Sequence, residues 1–178
     1  GNRAVRLPVG LVIEFLRTTP PIAQLFWFFF ALPILIGVEI DPFRASVLTF
    51  SLQSSAFFAE VFRGGIQSID SGQWEASKAI GMNRNQTLGR IILPQAVKRM
   101  IPAFLERAIE LMKTTTLVST ISYADLLYEA NSIAQSTYRT IEVFTVAAGM
   151  YFVVILASSI AVRRLEKRLS RTGETIVN

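Results

Sequence analysis

The ionisable side chains that interrupt the apolar stretches of this 178-residue sequence are the first place to look for chemistry. Glu60 and Arg63 stand one helical turn apart, the spacing of an i,i+3 ion pair. Glu106, Glu110 and Lys113 fall at about 0°, 40° and 340° around a helix turning about 100° per residue, so they share one face. Lys113 on that face could contact a solute or pair with Glu110, and both readings stand. The remaining carboxylates are scattered. With no His and no Cys, the sequence has no Ser-His-Asp or Cys-His pair, no imidazole- or thiolate-ligated zinc and no disulfide framework. It therefore offers no catalytic residue and no metal ligand set.

Those residues need elements to hold them, and the composition says what kind. Apolar residues make up 51% and charged residues only 17%, with thirteen Phe, whereas about a quarter of a soluble domain is charged. The expectation is a membrane protein. Thr18 to Val38 is uncharged, as is Val143 to Val162, and each matches the roughly 20 residues a helix needs to cross a bilayer. Two weaker spans are expected at Ala45 to Ala59, extending through Phe62 if Glu60 is tolerated, and at Ile101 to Ala124, which carries Glu106, Arg107, Glu110 and Lys113. A buried core helix of a soluble protein is the competing account of these two, disfavoured by the spans that flank them. In a membrane, the Glu106–Glu110–Lys113 stripe cannot face lipid and must face the bundle interior or a water-filled cavity. Ser51, Gln53, Ser54 and Ser55 make the second span polar, and close helix packing explains them better than the lining of a path. Pro20, Pro21 and Pro33 would bend or end the first span.

Charge placement supplies a direction. Fourteen of the eighteen Lys and Arg fall in residues 1–19, 63–100 and the tail after Val162, and positive charge collects on the cytoplasmic side. Start, central loop and tail are therefore expected to be cytoplasmic. The net charge of +5 is then matched to anionic lipid headgroups and not to a nucleic acid, since no basic stripe is interleaved with exposed aromatics.

The loop over residues 63–102 reads as structured. Asp70 with Gln73 marks a helix start of the capping-box type, and a short helix runs from there through Ile80. Gly81 suits a left-handed C-cap. Asn83 with Gln86 repeats the start signal, and a second short helix is expected to run to about Leu93 and stop at Pro94.

Along this loop, Glu75-Ala76-Ser77, three residues, Gly81, nine residues, Ile91, one residue and Leu93-Pro94 resemble the EAA loop of ABC-importer permeases, written EAA-x3-G-x9-I-x-LP. Only Ser77 departs from the pattern. The resemblance extends over most of the chain and has the character of the polar amino acid subfamily. Arg17-Thr18-Thr19-Pro20 to Gln24 is similar to RGTP-x3-Q with Thr18 for glycine, Ala59 to Ile66 resembles the helix entering the loop, and Lys113-Thr114-Thr115-Thr116-Leu117 resembles K-x-TSL with Thr116 for serine.

The resemblance implies an all-α integral membrane fold and one permease domain over residues 1–178, with residues 63–102 as a cytoplasmic helix-turn-helix coupling loop. Five spans are usual in the family. Four are visible and the sequence starts at Gly1, so an N-terminal truncation that removes the first span is expected. The implied function is translocation of polar amino acids across the bacterial inner membrane, with an osmolyte, an opine or another small solute, or a non-energised scaffold or channel, as alternatives. The implied partners are a dimer of ATPase subunits, a second permease subunit and a periplasmic or lipid-anchored solute-binding protein. ATP would be bound by the partner, since this sequence has no G-x-x-x-x-G-K-[ST] loop, and no cofactor is expected on this chain. The implied coupling residues are Glu75, Ala76, Ser77, Gly81, Ile91, Leu93 and Pro94. Trp74 beside them either plugs the ATPase groove or folds back onto the permease. Lys113, Thr114, Glu110 and Glu60 are the candidates for the translocation path.

Overall fold

Prolines and the groups that repair their missing N–H set the path of the first passage. In the computed structural model, which describes the backbone of residues 3–174 and the side chains of residues 6–166, helix α1 (Arg3–Thr18) ends at Pro20-Pro21. The chain resumes as α2 (Pro21–Phe26), one wide π-turn (Trp27–Ala31) and α3 (Leu32–Ile36), bent by 104° from α1. Pro20 cannot donate to the carbonyl of Leu16, four residues back. The amide of Gln24, which is buried, donates instead to Leu16 O at 2.8 Å and to Thr19 O at 3.1 Å. A side chain thus satisfies the carbonyl that the bend frees, a contribution of about 1 kcal/mol.

The rest of the described chain is helical, without a strand among the described residues. Helix α4 (Pro42–Gln67) starts on Asp41, whose carboxylate accepts from Arg44 N at 3.0 Å, and has Pro42 at its first position, where no N–H is needed. Short helices α5 (Ser71–Ala79) and α6 (Arg84–Thr87) lead through a second π-turn (Leu88–Ile92) into α7 (Leu93–Thr114). A tighter 3-10 segment (Thr115–Ile121), α8 (Leu126–Thr137) and the long α9 (Thr140–Glu174) complete the order.

Helices α4 and α9 are each long and apolar enough to cross a membrane, and the bent pair α1 with α2–α3 is a third passage if counted as one span. Little of the α9 window is buried against the rest of the chain, as suits a helix facing lipid. Two boundaries differ from expectation. Residues 1–19 were expected as a flank; α1 carries Leu7, Leu11 and Phe15 on its exposed surface and joins the first apolar passage if the bent pair is counted as one span. Pro94 does not stop a helix: the chain stays helical from Arg84 through Thr114. The reason is the π-turn. Each of the two π-turns ends two residues before a proline, Ala31 before Pro33 and Ile92 before Pro94, and the wider turn moves the preceding carbonyls out of the ring's way. Helix α8 had no counterpart in the expected spans.

Two apolar clusters hold the ends of the bundle. Leu25, Ala45 and Ile121 pack where α2, α4 and the 3-10 segment meet. Ile69, Ile92, Ala96 and Met100 pack where α4 ends and α7 begins, with Trp74, Leu88 and Phe104 against them. Gly65 permits that second contact, because a Cβ there would lie 2.4 Å from Met100 Cγ. Of the basic residues used to assign sidedness, Arg3, Lys167, Arg168 and Arg171 lie outside the residues whose side chains are described, as do both ends of the single domain expected over 1–178.

Candidate functional site

The loop between α4 and α7 is built from local signals. Asp70 caps α5 by accepting from Gly72 N at 2.6 Å, while Gln73 turns away and its Oε1 accepts from Gln95 Nε2 at 3.4 Å, so the expected reciprocal box does not form there. At Asn83 it does. Its side chain accepts from Gln86 N at 3.0 Å, and Gln86 Oε1 accepts from Asn83 N at 2.9 Å. Between them Gly81 sits at φ +76°, in the left-handed region, and Met82 N donates to Ser77 O at 3.0 Å, which closes α5 in a Schellman arrangement.

Helix α5 then presents two faces. Ser77 and Trp74 point inward: Ser77 is 1% exposed, and Trp74 packs on the Ile69–Ile92–Ala96–Met100 cluster. On this chain the half-buried indole packs back onto that cluster, as the second of its two sequence readings has it. Gly72, Glu75, Ala76 and Ala79 lie on the opposite side and are exposed, a flat face of small residues around one carboxylate. Ile80, next to Gly81, is 74% exposed at the tip. Spacing gave no hint of Ile80, but an apolar residue beside a glycine cap in an otherwise polar loop was the available signal. Ile91 is half-buried in the cluster, and Leu93 and Pro94 are exposed at the start of α7.

A second site lies along α4 and α7. Arg107 is 6% exposed; its Nη2 donates to Gln53 Oε1 at 3.2 Å, its Nη1 pairs with Glu110 at 2.9 Å, and its guanidinium carbon lies 3.9 Å from the Phe57 ring centroid. Arg17 of α1 approaches the same ring at 5.6 Å and pairs with Glu60 at 3.8 Å, which also holds Arg63 at 3.2 Å. The expected Glu60–Arg63 pair is present, with Arg17 as a further partner. Glu106, Glu110 and Lys113 are exposed on this chain, so the inward charge of α7 is Arg107, about 100° round the helix from Glu106. Glu110 pairs with Arg107, and Lys113 has no ion-pair partner among the described residues. The run of Phe57 and Phe58 beside Gln53 was the signal for Arg107, which stacks on aromatic faces better than lysine does.

A cavity of about 790 Å³ opens between α4, the end of α7, the 3-10 segment and α9. Its polar lining includes Ser46, Ser51, Ser54, Ser55, Thr115, Thr116 and Asp125, among Phe43, Phe50 and Phe58. Helix packing was the favoured reading of Ser51, Ser54 and Ser55, yet all three stand on the cavity wall. Lys113, Thr114, Glu110 and Glu60 do not line it. Asp125 also caps α8 by accepting from Tyr128 N at 2.8 Å and lies 3.5 Å from the Tyr151 hydroxyl.

Comparison with known proteins gives this geometry its family. Residues 1–171 match the family described as binding-protein-dependent transport system inner membrane component. A probable amino-acid ABC transporter permease of Sinorhizobium fredii is 34% identical over 97% of this chain and 74% of its own length. The glutamine transport system permease protein GlnP of Escherichia coli is 37% identical over 90% of this chain and 74% of its own. Among solved structures, the crystal structure of an amino acid ABC transporter with histidines superposes with a TM-score of 0.88 at 35% identity, over 93% of this chain and 77% of that one. The chain belongs to the binding-protein-dependent transport system inner membrane components and is the membrane permease component of an ABC transporter.

Proposed function

We propose that this permease carries polar amino acids inward across the bacterial inner membrane and that residues 63–102 form its cytoplasmic coupling loop. The observation that carries the coupling role is the two-faced α5. Its inner face is fastened to the bundle through Trp74, and its outer face offers Glu75 among Gly72, Ala76 and Ala79 to a closely approaching partner. The partner is an ATPase dimer, with Ile80 as the apolar contact at the tip. The fastened inner face lets movement of the loop reach α4 and α7 through the Ile69–Ile92–Ala96–Met100 cluster. ATP acts by favouring one of two packings of the bundle. A second permease subunit and an external solute-binding protein complete the machine.

The cavity is the best candidate for the solute's path on this chain. Its volume suits an amino acid, its hydroxyls suit a carboxylate, and Asp125 suits an ammonium. The names of the relatives, amino-acid and glutamine permeases, support the same substrate class. An osmolyte or opine carries similar charges, and uptake decides between them. The test is reconstitution with the ATPase and binding protein of the same system, followed by uptake of labelled glutamine, other polar amino acids and betaine. Uptake of a polar amino acid that is lost with Asp125→Asn, while the complex still assembles, supports the assignment. Equal uptake by the variant removes Asp125 from the path, and uptake of betaine alone overturns the substrate class.

A further inference from the structure

Ser77 is the one position of the EAA-type pattern where this sequence departs, and its hydroxyl is not idle. Thr87 Oγ1 of α6 donates to Ser77 Oγ at 3.0 Å, and Ser77 Oγ donates in turn to Trp74 O at 2.8 Å. Ser77 is 1% and Thr87 3% exposed, so water does not substitute for either bond. The two residues are ten apart and stand on opposite sides of the Gly81 turn. A groove of about 360 Å³, lined by Trp74, Lys78, Met82 and Arg84 among others, opens beside them.

We infer that Ser77 and Thr87 are paired positioning residues whose hydroxyl relay locks α5 to α6, so that the loop moves as one body when its outer face is engaged. A bare alanine at 77 could neither accept from Thr87 nor donate to Trp74 O. Alanine would leave the Thr87 hydroxyl buried without this partner, whereas removing both hydroxyls leaves an apolar pair. The serine is thus matched in space to a threonine ten residues on. This inference rests on the coupling role proposed for the loop, and its test separates the two.

The complete transporter is reconstituted with its ATPase and binding protein, and ATP hydrolysed per solute taken up is measured for Ser77→Ala, Thr87→Val and the double variant, at matched membrane abundance. Ser77→Ala raises the ratio about threefold, and Thr87→Val raises it less because Ser77 keeps its bond to Trp74 O. The double variant is no worse than Ser77→Ala alone. Effects that add, or a Ser77→Ala ratio equal to that of the unmodified protein, overturn the pairing. Rigidity is read independently from spin labels on Ser71→Cys and Asn85→Cys, single sites in a sequence without cysteine. The interlabel distance distribution broadens in the double variant if the relay locks the helices, and an unchanged width overturns the lock. Glu75→Ala in the same uptake assay serves as the reference. If Glu75→Ala uncouples while Ser77→Ala does not, the relay is wrong and the coupling loop stands. If Glu75→Ala leaves coupling intact while the labels broaden, the relay stands and the coupling role is wrong.

Discussion

The loop between α4 and α7 and the cluster around Arg107 both satisfy their polar groups within the chain, but over different distances along it. In the loop, Asp70 reaches two residues to Gly72, Asn83 three to Gln86, and Thr87 ten to Ser77. At Arg107 the hydrogen-bond partner Gln53 is 54 residues away, and the stacked ring belongs to the same distant helix. A locally satisfied segment can keep its shape while it moves relative to its surroundings. A cluster shared between helices has one arrangement for each packing of those helices, so it tends to hold α4 and α7 together.

The largest effect is therefore expected at Arg107. Arg107→Ala removes the stacking on Phe57 and strands Gln53, and should lower stability by about 2–4 kcal/mol, read as thermal unfolding in detergent. The pair with Glu110 adds little to that figure, because its carboxylate side chain is 59% exposed. Arg107→Lys keeps the charge but not the planar stacking, and should recover only part of the loss. Gly65→Val comes next, at about 1–3 kcal/mol, since its Cβ enters the space of Met100 where the two regions meet. Gly81→Ala forces a side chain into the left-handed region at φ +76° and should cost about 1–2 kcal/mol, confined to the loop in hydrogen exchange. Asn83→Ala loses the capping box for about 1 kcal/mol, again without exchange changes near Arg107. If either loop variant loosened the Arg107 region as much as its own, the two regions would not open independently.

The same difference in distance governs what could be read in advance. The Gly81 turn, the Asn83–Gln86 box and the boundaries of α5 followed from neighbours in sequence, because caps and turns are decided within a few residues. The Glu60–Arg63 pair was legible for the same reason. Arg107, Phe57 and Gln53 were not brought together, because no local spacing relates α4 to α7. The shared face of Glu106, Glu110 and Lys113 followed from the helical period, and on this chain that face is exposed while Arg107 is the buried charge of α7. Pro94 misled because a π-turn, which depends on the whole α6–α7 path, absorbed its missing N–H. The polarity of Ser51, Ser54 and Ser55 was visible, but packing and cavity lining demand the same small hydroxyl residues. Only the positions of α7 and α9 distinguish them.

The coupling role of the outward α5 face is tested most directly by Glu75→Ala in the reconstituted transporter, with ATP hydrolysis and solute uptake measured together. Glu75 is exposed and bonded to nothing else in the described residues, so the substitution should leave stability and membrane abundance unchanged within about 0.5 kcal/mol. Uptake per ATP should fall about tenfold or more if a charge-assisted contact with the ATPase is lost. Uptake per ATP equal to that of the unmodified protein would contradict the coupling role.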